Sequence, residues 1–139
     1  MALRRIRLYN DELLRKKSKP VKAIDQKILT LLDDMKETMT AANGMGIAAP
    51  QVGVLKRMVI VEMEEKLYEL INPVIVEAEG SQARTEGCLS VPGKNGTVER
   101  PARVKVQALD RGGNETVLEG EDLFAVVLCH EIDHLDGIL

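Results

Sequence analysis

Aromatic side chains are nearly absent from this chain: 139 residues hold one Phe, two Tyr and no Trp. The core must therefore be aliphatic, and stacking platforms for bases or sugars are mostly lacking. Cysteine is scarce too. Cys88 and Cys129 are too few for a disulfide framework and suggest a reducing cytoplasm, with a single Cys88–Cys129 disulfide as the alternative. Behind Met1-Ala2-Leu3-Arg4-Arg5 no apolar run suits a signal peptide, and none later suits a membrane span, so a cytoplasmic chain with no membrane partner is expected. No G-x-x-x-x-G-K-[ST] phosphate loop occurs. Net charge is only -3, and 45% hydrophobic with 29% charged residues is an ordinary globular composition. Arg4, Arg5, Arg7, Arg15, Lys16, Lys17 and Lys19 make one local basic cluster, which reads as a solvated face rather than a nucleic-acid footprint, so no DNA partner is expected. The length fits a single domain over residues 1–139.

Histidine is equally rare, and its placing is informative. The only two stand four residues apart in His130-Glu131-Ile132-Asp133-His134. That spacing is about one helical turn, so both imidazoles leave one face of a helix. H-E-x-x-H on a helix reads as two metal ligands plus a carboxylate that acts as base on the attacking water. The bland alternative is a helix end with two solvated histidines. A catalytic metal generally takes three protein ligands and keeps a fourth position open. Downstream only Asp136 offers a donor, too close to wrap back, so the third ligand must lie upstream. Cys129 adjoins His130 and on a helix points about 100° away from it. Elimination favours Cys88, in Thr85-Glu86-Gly87-Cys88-Leu89-Ser90-Val91-Pro92.

Asn10 or Asp11 is expected to cap a short helix to Lys17, and Asp25 to open a longer one. In the latter, Ile28, Leu31, Leu32, Met35 and Met39 recur at helical spacing, and Asn43-Gly44 is a left-handed stop signal. Strands are expected over 57–62, 68–71, 74–79 and 103–109, with Asn72-Pro73 separating the second from the third. Arg111-Gly112-Gly113-Asn114 turns the fourth into a hairpin with residues 116–118. Glu121 and Asp122 start the final helix, where Leu123, Val126, Val127 and His130 share a face. Strands and helices do not alternate as βαβ units. The fold class is α+β, with antiparallel or mixed sheets packed around a C-terminal metal-binding helix.

Gly44-Met45-Gly46-Ile47-Ala48-Ala49-Pro50-Gln51 matches G-x-G-x-x-A, but a helix precedes it, Pro50 interrupts it and a strand follows, which argues against dinucleotide binding. It reads either as a tightly packed small-residue loop or as an extended wall of a cleft, with Gln51 presenting its amide.

Together three motifs resemble the peptide deformylase family: Gly44-x-Gly46-x-Ala48-Ala49-x-Gln51, Glu86-Gly87-Cys88-Leu89-Ser90, and His130-Glu131-x-x-His134-Leu135. They occur in the family's order, and the likeness covers essentially the whole chain. The resemblance implies removal of the formyl group from N-formylmethionyl nascent peptides, with release of formate. It implies Cys88, His130 and His134 as ligands of one divalent metal, Fe2+ above Zn2+, Ni2+ or Co2+. It implies Glu131 as general base, and Gln51 with the Leu89 backbone N–H as donors to the oxyanion. The methionine side chain is expected against Met45, Leu123, Val126 and Val127, and the peptide backbone along Gly44, Met45, Gly46 and Ile47. Glu86 and Arg100 are expected to pair, and Asp133 to serve a histidine N–H. The family usually continues beyond Leu135-x-Gly137, whereas this chain ends at Leu139, so ribosome docking through a C-terminal helix is in doubt. The short end is expected to expose Leu128, Ile132, Leu135, Ile138 and Leu139 and to favour a monomer or weak dimer. Cys129 is expected to be open to oxidation. Two other classes stay open: a metallopeptidase indifferent to the formyl group, and a non-catalytic module with a closed metal site.

Overall fold

The computed structural model describes residues 3–8, 10–88 and 90–138; for 84, 85, 87, 88 and 91–96 the description is of the backbone. The first regular element is a 3-10 turn, Glu12–Arg15, shorter than the expected helix, with Asp11 accepting from the Leu13 N–H at its start. Helix α1 spans Gln26–Ala41, and the Asp25 carboxylate accepts from the Ile28 N–H. Ile28, Leu31, Leu32, Met35 and Met39 form its buried stripe. Asn43 itself adopts the left-handed conformation that stops the helix, at φ 57°.

Among the described residues there are seven strands: β1 Gly46–Ala48, β2 Met58–Met63, β3 Lys66–Glu79, β4 Gln82–Cys88, β5 Val91–Arg100, β6 Arg103–Leu109 and β7 Glu115–Glu121. β1, β2, β3, β6 and β7 form one sheet in that order, and β4 with β5 forms a separate ribbon. All these pairings are antiparallel. Helix α2, Asp122–Leu135, closes the described fold.

The side-chain period of two in β2 divides the core. Met58 and Ile60 join Ile47, Ile71 and the α1 stripe, while Val59 and Val61 join Val104, Val106, Ala108 and α2. The two helices thus cover opposite faces of the sheet. Each fully buried Leu, Ile or Met side chain contributes about 1.5–3 kcal/mol. An aliphatic core serves because both faces of β2 are covered.

Three sequence expectations change. Asn72-Pro73 does not end a strand: β3 runs through it with a register shift. Asn72, at φ 53°, uses its amide to bind both the N–H and the carbonyl of Val21 at 2.8 and 2.9 Å, tying the N-terminal segment to the bend. The ribbon β4–β5 was not foreseen at all. Finally, Leu128, Ile132 and Leu135 are buried rather than exposed. The sheet covers the first two, and the segment around Ser18, whose N–H donates to the Leu135 carbonyl at 2.7 Å, packs on the third. Ile138 is exposed, and Leu139 lies outside the described residues.

Candidate metal centre

Helix α2 carries His130 and His134 one turn apart, and the ring centroids stand 4.9 Å apart, nearly perpendicular. Their Nε2 atoms face each other at 3.3 Å. Glu86, from β4, lies 3.0 Å from His130 Nδ1. With Nδ1–H donating to Glu86, the lone pair of His130 Nε2 points toward His134. Arg100, from β5, holds Glu86 from its other side by two bonds of 3.0 Å and also pairs with Asp133 on α2. Burial pushes the Glu86 carboxyl upward, but the bonds from Arg100 and His130 outweigh it and leave it below its ordinary range. The Glu86–Arg100 pair is as expected. The histidine's partner is not: Asp133 serves Arg100, and Glu86 serves His130.

Glu131 is buried, and its Oε1 has no hydrogen-bond partner among the described residues. Burial first, and the charge of Glu86 second, push its carboxyl up to about 8. Burial likewise holds His134 down to about 3, helped by the charges of His130 and Arg100, so its imidazole is neutral at neutral pH. Donor atoms of His130, Glu131 and His134 lie within 4.8 Å of one another.

These features fit a metal. Two nitrogens each about 2.0–2.1 Å from a tetrahedral ion stand roughly 3.3–3.4 Å apart, and the observed spacing is 3.3 Å. Without a cation or proton between them, facing lone pairs at that distance repel. Neutral imidazoles are also the form that ligates.

Gln51 is buried at the end of a 3-10 turn, Ala49–Val52. Its Oε1 accepts from the Ala48 N–H at 2.8 Å, and its amide nitrogen lies 3.3 Å from Ser90 Oγ. That bond sets which way the amide faces: the NH2 end points toward the loop after β4. Gly46 is in β1, at the edge of the sheet, with Gly44, Met45 and Ile47 beside it. Met45 and Leu123 are partly exposed, whereas Val126 and Val127 are buried, Val127 within the core between α2 and the sheet. Leu89 and the side chain of Cys88 lie outside the described residues. Cys129 is a free, buried thiol, which removes the disulfide alternative. Burial pushes that thiol up to about 11, a setting that argues against the expected susceptibility to oxidation.

Sequence reasoning passed over two contributors, Ser90 beneath Gln51 and the Gly46 contact with Glu131. Both were visible as motif positions, Gly46 in the glycine-rich segment and Ser90 at the end of the cysteine motif; what was not legible is which side chain each one meets.

Fold and centre define a metal-dependent hydrolase built on H-E-x-x-H, in which Glu86 holds the His130 ring and Arg100 holds Glu86. A family model described as polypeptide deformylase matches residues 3–139. The chain belongs to the polypeptide deformylase family, hydrolases that remove the N-formyl group from new polypeptides. It is 64% identical over 139 residues to the peptide deformylase of Acetivibrio thermocellus, covering 100% of this chain and 82% of that one. It is 62% identical to that of Caldicellulosiruptor bescii, covering 100% and 84%. Among solved structures, the Legionella pneumophila peptide deformylase superposes with a TM-score of 0.96 at 44% identity, over 99% of this chain and 83% of that one. The Thermotoga maritima enzyme gives 0.96 at 38% identity, over 99% and 94%. Among the described residues no helix is long and apolar enough to cross a membrane.

Proposed function

We propose that Cys88, His130 and His134 hold one divalent metal, Fe2+ by preference over Zn2+, Ni2+ or Co2+, and that the chain deformylates N-formylmethionyl nascent peptides in the cytoplasm, as a monomer or weak dimer. The observation that carries this reading is the pair of imidazole nitrogens converging at 3.3 Å beside a buried, unpartnered carboxylate oxygen. A closed structural site has no use for such a carboxylate. When bound, the metal supplies Lewis acidity, lowering the pKa of a water toward neutrality and polarising the formyl oxygen.

Glu131 takes a proton from the attacking water as the water oxygen bonds to the formyl carbon, then passes that proton to the peptide nitrogen as the C–N bond breaks. The Gln51 amide and the Leu89 N–H donate to the oxyanion; one such donor typically contributes about 3 kcal/mol of transition-state stabilisation. Glu86 fixes the ring of His130, and Arg100 fixes Glu86. The peptide backbone pairs along Gly44 to Ile47, an assignment supported by the edge position of β1. The methionine side chain lies against Met45, Leu123 and Val126, while Val127, packed in the core between α2 and the sheet, backs the pocket rather than lining it.

The test is formate release from formyl-Met-Ala-Ser beside its N-acetyl counterpart. Turnover of the formyl peptide alone is expected; equal cleavage of an unmodified peptide bond would favour the metallopeptidase class.

A further inference from the structure

The backbone around Gln51 is fixed on its own account. Its carbonyl accepts from the Arg7 N–H at 2.7 Å, Pro50 stands early in the same turn, and the Gly53 N–H closes that turn on the Pro50 carbonyl at 2.9 Å. The side chain is a different matter. The last torsion of a Gln, which swings the amide plane, is broad and has no strong preference of its own. Bonds must therefore set that plane. The Ala48 N–H can only donate, so its 2.8 Å bond fixes Oε1 as the end that faces β1. One bond pins a point, not a plane. The second point is Ser90 Oγ, 3.3 Å from the amide nitrogen. Ser90 is fully buried, as Gln51 nearly is, and it comes from the turn after β4, 39 positions along the chain. A hydroxyl suits that place: it is small enough to be covered, it accepts from an amide N–H, and it adds no charge beside a metal centre.

We propose that Ser90 is a positioning residue for deformylation: its hydroxyl holds the plane of the Gln51 amide, so that the nitrogen is aimed at the oxyanion before substrate arrives. The inference rests on the deformylase reading, which gives Gln51 that oxyanion. Donors set in advance stabilise developing charge without reorganising during the reaction. In this role Ser90 touches neither substrate nor the reacting atoms and acts on the rate only through Gln51. Losing the hydroxyl should therefore cost nothing once the amide is gone. A hydroxyl that merely filled space would cost the same with or without Gln51.

The experiment is a double-mutant cycle with two readouts. Formate release from formyl-Met-Ala-Ser is followed on nickel-loaded protein, and NMR relaxation of the Gln51 side-chain amide, assigned by its absence from Gln51→Ala, on zinc-loaded protein. Ser90→Ala is expected to lower kcat about 10–100-fold, with KM within about twofold and metal stoichiometry unchanged. In a Gln51→Ala background the same change is expected to move kcat by less than about twofold. The order parameter of the amide is expected to fall from about 0.85 in the parent to below about 0.6 in Ser90→Ala. Ser90→Thr keeps the hydroxyl and is expected to keep the amide ordered. Equal losses of kcat from Ser90→Ala in the two backgrounds, an amide as ordered in Ser90→Ala as in the parent, or order lost equally in Ser90→Thr would each overturn the proposal. A parent that releases no formate, with amide order lost in Ser90→Ala alone, would bear out the pinning of Gln51 and overturn the deformylase reading instead.

Discussion

A Cβ on Gly46 would stand 2.7 Å from Oε2 and 2.9 Å from Cγ of Glu131. Strand β1 and helix α2 meet where a backbone without a side chain leaves room for the carboxylate. Gly46→Ala should therefore push Glu131 aside rather than disturb the ligands. A misplacement of about 1 Å at a reacting group costs on the order of 100-fold. A fall in kcat of that order is expected with metal content unchanged, measured by steady-state kinetics beside metal analysis. In a Glu131→Asp background, with one methylene less to displace, the further loss from Gly46→Ala should be smaller.

Glu86 behind His130 should govern metal retention. Glu86→Ala removes the acceptor of the His130 Nδ1 proton, found here at 3.0 Å, and leaves Arg100 with Asp133 alone. Losing such a partner typically weakens metal binding 10–100-fold. Competition against a chromogenic chelator measures it, and affinity unchanged within twofold would remove Glu86 from the role.

The chelator-stripped protein should show a stability plateau in pH. Glu131 moves from an ordinary 4.5 to about 8 on folding. Its contribution is full below 4.5 and is lost as pH rises through about 8. His134 moves from 6.5 to about 3. Its contribution is full above 6.5 and is lost as pH falls through about 3. Between 4.5 and 6.5 the two slopes oppose and cancel. The unfolding temperature should therefore fall as pH rises above 6.5 in the parent, and Glu131→Gln should abolish that alkaline decline.

Cys129 should be inert although it adjoins His130, proposed as a metal ligand. Burial and a thiol pushed up to about 11 leave almost no accessible thiolate near neutral pH. Iodoacetamide at pH 8, followed by peptide mass mapping, should leave Cys129 unmodified in the native protein and modify it after unfolding.

Gly137, at φ +78°, fixes the end of α2 against the N-terminal segment, where a Cβ would collide with the carbonyl of Arg15. Gly137→Ala combines left-handed strain with that clash, so destabilisation of more than about 1 kcal/mol is expected, read as a Tm lower by several degrees.

The parts of this fold that were legible are those governed by local periodicity. His130 and His134 share a helix face because of their spacing, and Asp25 announces α1 because a carboxylate there satisfies an end N–H. The β4–β5 ribbon was invisible because Ser81-Gln82-Ala83-Arg84-Thr85 offers no apolar alternation, and Pro92, Gly93 and Gly96 read as breakers. Asn72-Pro73 misled for the opposite reason: a turn signal was absorbed as a bend because Val21, 51 positions away, bonds the Asn72 side chain. Assigning Asp133 to a histidine failed similarly, since Arg100 reaches it from a ribbon that sequence did not reveal. Helix spacing says which side chains leave together, not what waits for them.

The central claim is that Glu131 moves the proton while Cys88, His130 and His134 hold the metal. The most direct measurement is formate release from formyl-Met-Ala-Ser by parent and Glu131→Gln proteins, both loaded with nickel to the same measured stoichiometry. The account predicts one metal per chain in each protein and turnover abolished in the variant. Turnover by Glu131→Gln within about tenfold of the parent, a smaller loss than removing a general base typically causes, would contradict it.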